Sequence, residues 1–195
     1  MNFKKFKEAI DLFDDANRQD PNQEMIGETE YPTELLYAVR LTEWVKKLDS
    51  NPSEVLLLAA RCQHLCRWEV PRNQFPMDRA GYLKWRQTLA KFHAEEAGKI
   101  LKKVGYPEET IQKVQAINLK KDLKDPDIQT IEDALCLVFL EFQFEKFIQK
   151  TPEEKVPLII QKTWRKMSPR GRKFALKLPF SKKELDLIKK SLNLY

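Results

Sequence analysis

Six consecutive apolar residues, Val55-Leu56-Leu57-Leu58-Ala59-Ala60, leave no polar side on a helix drawn through them. Such a segment is stable in water only when other elements surround it. The rest of the chain supplies those elements. Phe3, Phe6, Ile10 and Phe13 recur at helical spacing and predict a first amphipathic helix over residues 2–18. Thr33, read as an N-cap, opens a second helix to about Leu48, with Leu35, Leu36, Val39 and Trp44 turned inward. Ser53 caps a third, which carries the apolar run and extends to roughly Trp68.

Further helices are predicted over about 80–104, ended by Gly105, from Pro107 to about Lys121, and over 127–150 with Asp127 at its N-terminus. Three more run from Pro152 to near Met167, from Pro169 to Leu178 and from Ser181 to Leu192. DPNQEMIGETEYP and EVPRNQFPMDRAG read as loops. No segment alternates with the period of two that marks a half-buried strand, and no internal repeat is present. The expectation is an all-α chain forming a single compact domain of about eight to nine helices. An N-terminal helix and loop occupy 1–30, a helical core 33–150, and a basic helical extension 152–195.

Composition narrows the setting. The 195 residues are 33% charged, above the usual share of about a quarter, and suit a soluble folded protein. The start of the chain, MNFKKFKEAIDLF, has no uninterrupted apolar region, and no stretch has the ~20 apolar residues that span a bilayer. Three cysteines, Cys62, Cys66 and Cys136, argue against a disulfide framework and fit a reducing cytoplasmic setting without membrane association. Net charge is +6, unevenly placed: from Gln161 to Tyr195, 11 Lys and Arg stand against Glu184 and Asp186, an excess of +9, so the remainder is near −3. A basic C-terminal quarter is suited to phosphates or acidic surfaces, nucleic acid included.

The apolar run continues into Arg61, Gln63, His64 and Arg67. Polar groups at the end of a buried helix need partners, because an unpaired one costs roughly 1–3 kcal/mol. They therefore predict a polar cavity. KFHAEEA brings His93, the other histidine, together with Glu95 and Glu96; IEDALCL interrupts an apolar helix with Glu132 and Asp133, which call for counter-charges or a cation. Arg67, Arg72, Arg79, Lys84 and Arg86 alternate with Trp68, Phe75, Tyr82 and Trp85, a composition suited to a phosphorylated or nucleotide ligand. The dinucleotide, P-loop, serine-hydrolase and zincin motifs are all absent. Lys166-Met167-Ser168 matches three residues of a class I aminoacyl-tRNA synthetase signature, without the partner motif that would give the match meaning.

ARCQHLCRWEVPRNQFPMDRAGYLKWRQTLAKFHAEEA, IEDALCLVFLEFQF and KTWRKMS together resemble a family described only as a domain of unknown function, of the DUF4202 type, over nearly the whole chain. A more distant resemblance is to the HD-domain metal-dependent phosphohydrolases, which are all-α. LLLAARCQHL, a Pro-rich loop, KFHAEEA and IEDALCL follow that family's order. On this register its His-Asp doublet falls on Gln63-His64 and its last aspartate on Asp133, while nothing from Thr33 to Leu48 supplies its first histidine. The resemblance implies an HD-like core and a phosphohydrolase acting on a phosphorylated small molecule or nucleotide. His64, His93 and Asp133 would hold a divalent metal ion, and Glu95 or Glu96 would order or deprotonate a water. Arg61, Gln63, Arg67, Arg72, Arg79 and Arg86 would grip the substrate. The alternative is a non-catalytic HD-derived module without metal, binding a nucleotide, RNA or an acidic partner through the arginine–aromatic loop and the basic C-terminus.

Overall fold

The computed structural model describes residues 2–122 and 124–193. Helix α1 (Phe3–Asn17) is followed by strands β1 (Gln23–Ile26) and β2 (Thr29–Pro32), then α2 (Thr33–Leu48) and α3 (Glu54–Arg61). Helices α4 (Arg79–Val104) and α5 (Glu108–Leu119) pack on each other across the turn at Gly105, whose φ of 84° suits a residue without Cβ. The chain closes with α6 (Pro126–Val138), α7 (Phe144–Lys150), α8 (Val156–Lys166), α9 (Pro169–Ala175) and α10 (Lys182–Leu192).

Helix α3 touches α1, α2, α5 and α6, which explains its apolar circumference. Ser53 starts it, its Oγ accepting the Leu56 N–H at 3.0 Å, and Leu56, Leu58, Ala59 and Ala60 lose all contact with solvent. Each leucine so buried contributes about 1.5–3 kcal/mol. The same core runs from Phe13 on α1 through Leu41, Leu101, Val114 and Ile131 to Ile160, Ala175 and Ile188 on α8, α9 and α10. The basic C-terminal helices are thus built into the core that α3 centres.

Several local expectations are corrected. The third helix ends at Arg61, seven residues early, and the chain turns through Cys62 to a Cys66 in the left-handed region at φ 52°. Residues 23–32 form an antiparallel ribbon, Gln23 opposite Pro32 and Ile26 opposite Thr29, where a loop was predicted. Both of its faces are largely exposed, so it carries no apolar alternation. Asp20 rather than Thr33 caps α2, its Oδ2 accepting the Glu34 N–H at 2.9 Å. The buried face of α2 is Tyr37, Leu41, Trp44, Val45 and Leu48; Leu35, Leu36 and Val39 are only half-buried. Asp125, not Asp127, caps α6.

The predicted helix over 127–150 is interrupted by a π-helical turn at Phe139–Gln143, which raises the total to ten α-helices among the described residues. Trp44 reaches this turn, donating its indole N–H to Glu141 Oε2 at 2.7 Å.

Asp133 ties the C-terminal helices to α6. It is fully buried, and its Oδ1 accepts the Ser168 N–H at 2.7 Å and the Gln129 amide at 3.0 Å, while Oδ2 accepts the Ser168 hydroxyl. Gly171 makes room for this carboxylate: a Cβ there would lie 2.6 Å from Asp133 Cγ. In an open helix Gly→Ala stabilises by ~1 kcal/mol. Here the sign should reverse, with Gly171→Ala lowering stability by about 1–3 kcal/mol in urea unfolding, the usual cost of overpacking.

Candidate functional site: a cationic cavity at the exit of α3

The turn after α3 opens on a cavity with two lobes. The first, about 370 Å³, lies among α2, α6, the π-helical turn and α8, with Tyr37, Cys136 and Phe139 in its wall. The second, about 300 Å³, lies between α4 and α5 and is walled by Leu83, Leu89, Ala90 and Leu119. Gln63, His64, Arg67, Arg86 and Lys120 line both lobes and form the waist between them.

Two hydrogen bonds fix the turn that carries these groups. Asn17 Oδ1 accepts the Cys66 N–H at 3.0 Å, and His93 Nδ1 donates to the Leu65 carbonyl at 2.7 Å. Since a carbonyl only accepts, that ring nitrogen bears the proton. Burial, then the neighbouring His64, pushes the His93 pKa down to about 3, so the ring is neutral. His64 stacks on Tyr37, ring centroids 4.2 Å apart and 11° from parallel. Burial followed by the positive charges of Arg67, Arg86 and Lys120 holds its pKa well below the usual histidine range. Burial raises the Tyr37 hydroxyl above the ordinary phenol range, leaving it a protonated donor.

Glu34, on the first turn of α2, faces both Arg67 and His64: its Oε1 is 3.5 Å from Arg67 Nε and its Oε2 3.4 Å from His64 Nδ1. Burial raises its pKa to about 7, against the opposing pull of Arg67. The contact with His64 is therefore not an ion pair, since the imidazole is neutral. Arg67 also lies over the Trp85 ring, 4.9 Å from its centroid, and the Trp85 indole donates to Val70 O at 2.8 Å. Across the waist Lys120 pairs with Glu132, and burial, with Arg86 and Lys166 nearby, lowers the lysine to about 8. Lys120 itself ends α5 at φ 52°, a left-handed conformation that costs a side-chain-bearing residue ~1–2 kcal/mol.

Of the residues singled out from sequence, the cavity gathers Gln63, His64, Arg67 and Arg86, with His93 in the second lobe. The others lie elsewhere. Arg61 forms a bidentate pair with Asp14 at 2.6 and 2.7 Å and so bridges α3 to α1. Arg72 donates to the carbonyls of Phe75 and Asp78, holding its own loop, and Arg79 is an exposed first residue of α4. Glu95 is exposed, Glu96 pairs with Lys99 at 2.6 Å, and neither lines a lobe. Asp133 is taken up by Ser168 and Gln129.

The proposed metal set of His64, His93 and Asp133 is therefore not assembled. No group of three or more His, Cys, Asp or Glu side chains among the described residues is placed to share an ion. The cations around the histidines oppose a divalent one as well.

The residues that sequence reasoning missed are Glu34, Tyr37, Asn118, Lys120 and Lys166, all lining the cavity. Glu132, a carboxylate on an apolar helix that calls for a counter-charge, meets it in Lys120.

These shifts have a pH signature. Both histidines stay neutral in the folded state while the unfolded chain takes up protons below the ordinary value of 6.5, so acidification from 6.5 toward 3 destabilises the fold. Glu34 acts oppositely between 4.5 and 7, where only the folded state keeps its proton. Two groups outweigh one, so stability should fall as pH drops from 6.5 to 4.5, and His93→Gln should flatten that slope in urea unfolding across the range.

Among the described residues, no helix is long and apolar enough to cross a membrane. Comparison with curated proteins and with solved structures gives no match. The family model for a domain of unknown function, DUF4202, matches residues 7–188, and the chain belongs to that family.

Proposed function

We propose that the cavity binds a phosphorylated small molecule. The supporting observation is its charge: Arg67, Arg86, Lys120 and Lys166 line it against Glu34 and Glu132, four cations to two carboxylates, an excess of two. With a pKa raised to about 7, Glu34 is half neutral at pH 7, which widens the excess. Arg67 and Lys120 face those carboxylates, whereas no ion pair among the described residues engages Arg86 or Lys166. Both lie close enough to Lys120 to depress its pKa. A phosphate entering the waist would relieve this mutual repulsion and meet an arginine fork and two ammonium groups.

Hydrolysis of the bound phosphoester is the second reading, favoured by Glu34. A carboxyl poised near neutrality can take and return a proton at working pH. The HD-type resemblance has only the order of sequence motifs behind it: Gln63-His64 lie in the turn after α3 and Asp133 on α6. Any divalent ion would have to arrive on the ligand's own phosphate, given the donor set described above. Binding of RNA or an acidic partner by the C-terminal helices has charge alone behind it.

Inorganic phosphate and pyrophosphate should raise the melting temperature of the wild-type protein. Arg86→Ala and Lys166→Ala, both at exposed positions, should weaken that binding by about tenfold each, the loss of one charge-assisted contact. They should leave the unliganded melting temperature nearly unchanged. A wild-type protein that phosphate and pyrophosphate fail to stabilise would sink the reading. Affinity should also decline as pH rises from 7 to 9, because Glu34 becomes negative above about 7 and Lys120 loses its charge above about 8. Titration calorimetry across that range reads the trend.

A further inference from the structure

Three side chains lining the second lobe each keep an acceptor with no partner among the described residues: Gln63 Oε1, His93 Nε2 and Asn118 Oδ1. These residues are only 6%, 3% and 2% exposed. Natural proteins leave few buried polar atoms unpaired, and three in one lobe point to a missing group.

The partners of these side chains establish what they offer. His93 gives its Nδ1 proton to Leu65 O, so in the neutral ring Nε2 presents a lone pair. Asn118 directs its Nδ2 at Cys62 Sγ, 3.2 Å away, and the Cys62 thiol donates to Ala59 O at 3.7 Å. The sulfur therefore accepts, and the amide oxygen is the atom left over. Gln63 adds a second amide oxygen. The lobe asks for hydrogen-bond donors.

The surroundings narrow the donor type. No carboxylate lines this lobe among the described residues, and Arg67, Arg86 and Lys120 border it, which disfavours an ammonium group. No Phe, Tyr or Trp among the described residues lines it either, and His64 and Arg67 already have one face taken by Tyr37 and Trp85, so it offers a nucleobase little to stack on. Neutral hydroxyls between aliphatic walls fit what remains.

We infer that the second lobe receives the hydroxyl-bearing part of the ligand, making the substrate class a phosphorylated sugar or polyol. Its phosphate sits at the waist with Arg67, Arg86 and Lys120, and its hydroxyls donate to Gln63, His93 and Asn118. The inference rests on the phosphate reading above and adds the chemistry of the other end.

Calorimetric titration of the full wild-type chain separates the two. Ribose 5-phosphate should bind about tenfold or more tighter than n-butyl phosphate, which has similar charge and no hydroxyl; that ratio is what one or two neutral hydrogen bonds supply. Asn118→Leu should narrow the gap by weakening the sugar phosphate and leaving butyl phosphate alone. Adenosine monophosphate should gain nothing further over ribose 5-phosphate. Equal affinity for ribose 5-phosphate and butyl phosphate overturns the inference and leaves the anion site standing, as does a large gain from the adenine ring. Absence of binding by every phosphate overturns the anion site and the inference with it.

Discussion

Asn17 on α1 and His93 on α4 grip the backbone of the turn after α3, one through the Cys66 N–H and the other through the Leu65 carbonyl. The central helix is enclosed by hydrocarbon, so its continuation must leave the core through a place where backbone groups can still be paired. These two side chains provide that place. With the turn fixed, Gln63, His64 and Arg67 project together into the space where α2, α4, α5 and α6 meet. Cys66 is held in a left-handed conformation there, as is Lys120 on the facing side. Backbone strain of this kind persists where surrounding contacts over-determine it, and it gathers at functional sites.

The electrostatics of the cavity follow from burial more than from pairing. Glu34, His64, His93 and Lys120 each shift toward the neutral form, and burial is the largest cause in every case. The clasp between Asp133 and Ser168 works differently: hydrogen bonds satisfy the buried carboxylate, which fastens α9 and the end of α8 to α6. Lys166, two residues before Ser168, is brought to the cavity by that clasp. The basic C-terminal helices thus supply part of the cavity wall.

Helix positions were legible in the sequence because the apolar periodicity is strong: α1, α2, α4 and α5 lie within a few residues of expectation. Ends were less legible. The α3 boundary depends on Asn17 and His93, 49 and 28 residues away from the atoms they hold, and no local signal encodes such contacts. The site was half legible. Polar residues after an apolar run marked Gln63, His64 and Arg67 by the cost of burying them unpaired. The same logic misassigned Arg61 and Asp133, because burial demands a partner without saying whether it is a ligand or a neighbour such as Asp14 or Ser168. Glu34 and Lys120 sit at helix ends among other charged residues, where composition alone cannot separate a cavity group from a solvated one.

The π-helical turn at Phe139–Gln143 acts as a phase shifter. A turn of this type is one residue longer than the α-helical equivalent, and each residue of an α-helix advances the direction of the side chains by about 100°. Winding the same five residues as α-helix would swing every later position of α7 by about that angle. Phe144, now facing the core, would rotate out of it, and Phe139 and Gln143 would lose the spacing that sets both against the first lobe. The widened turn therefore keeps Phe144 in the core while Phe139 and Gln143 face the first lobe.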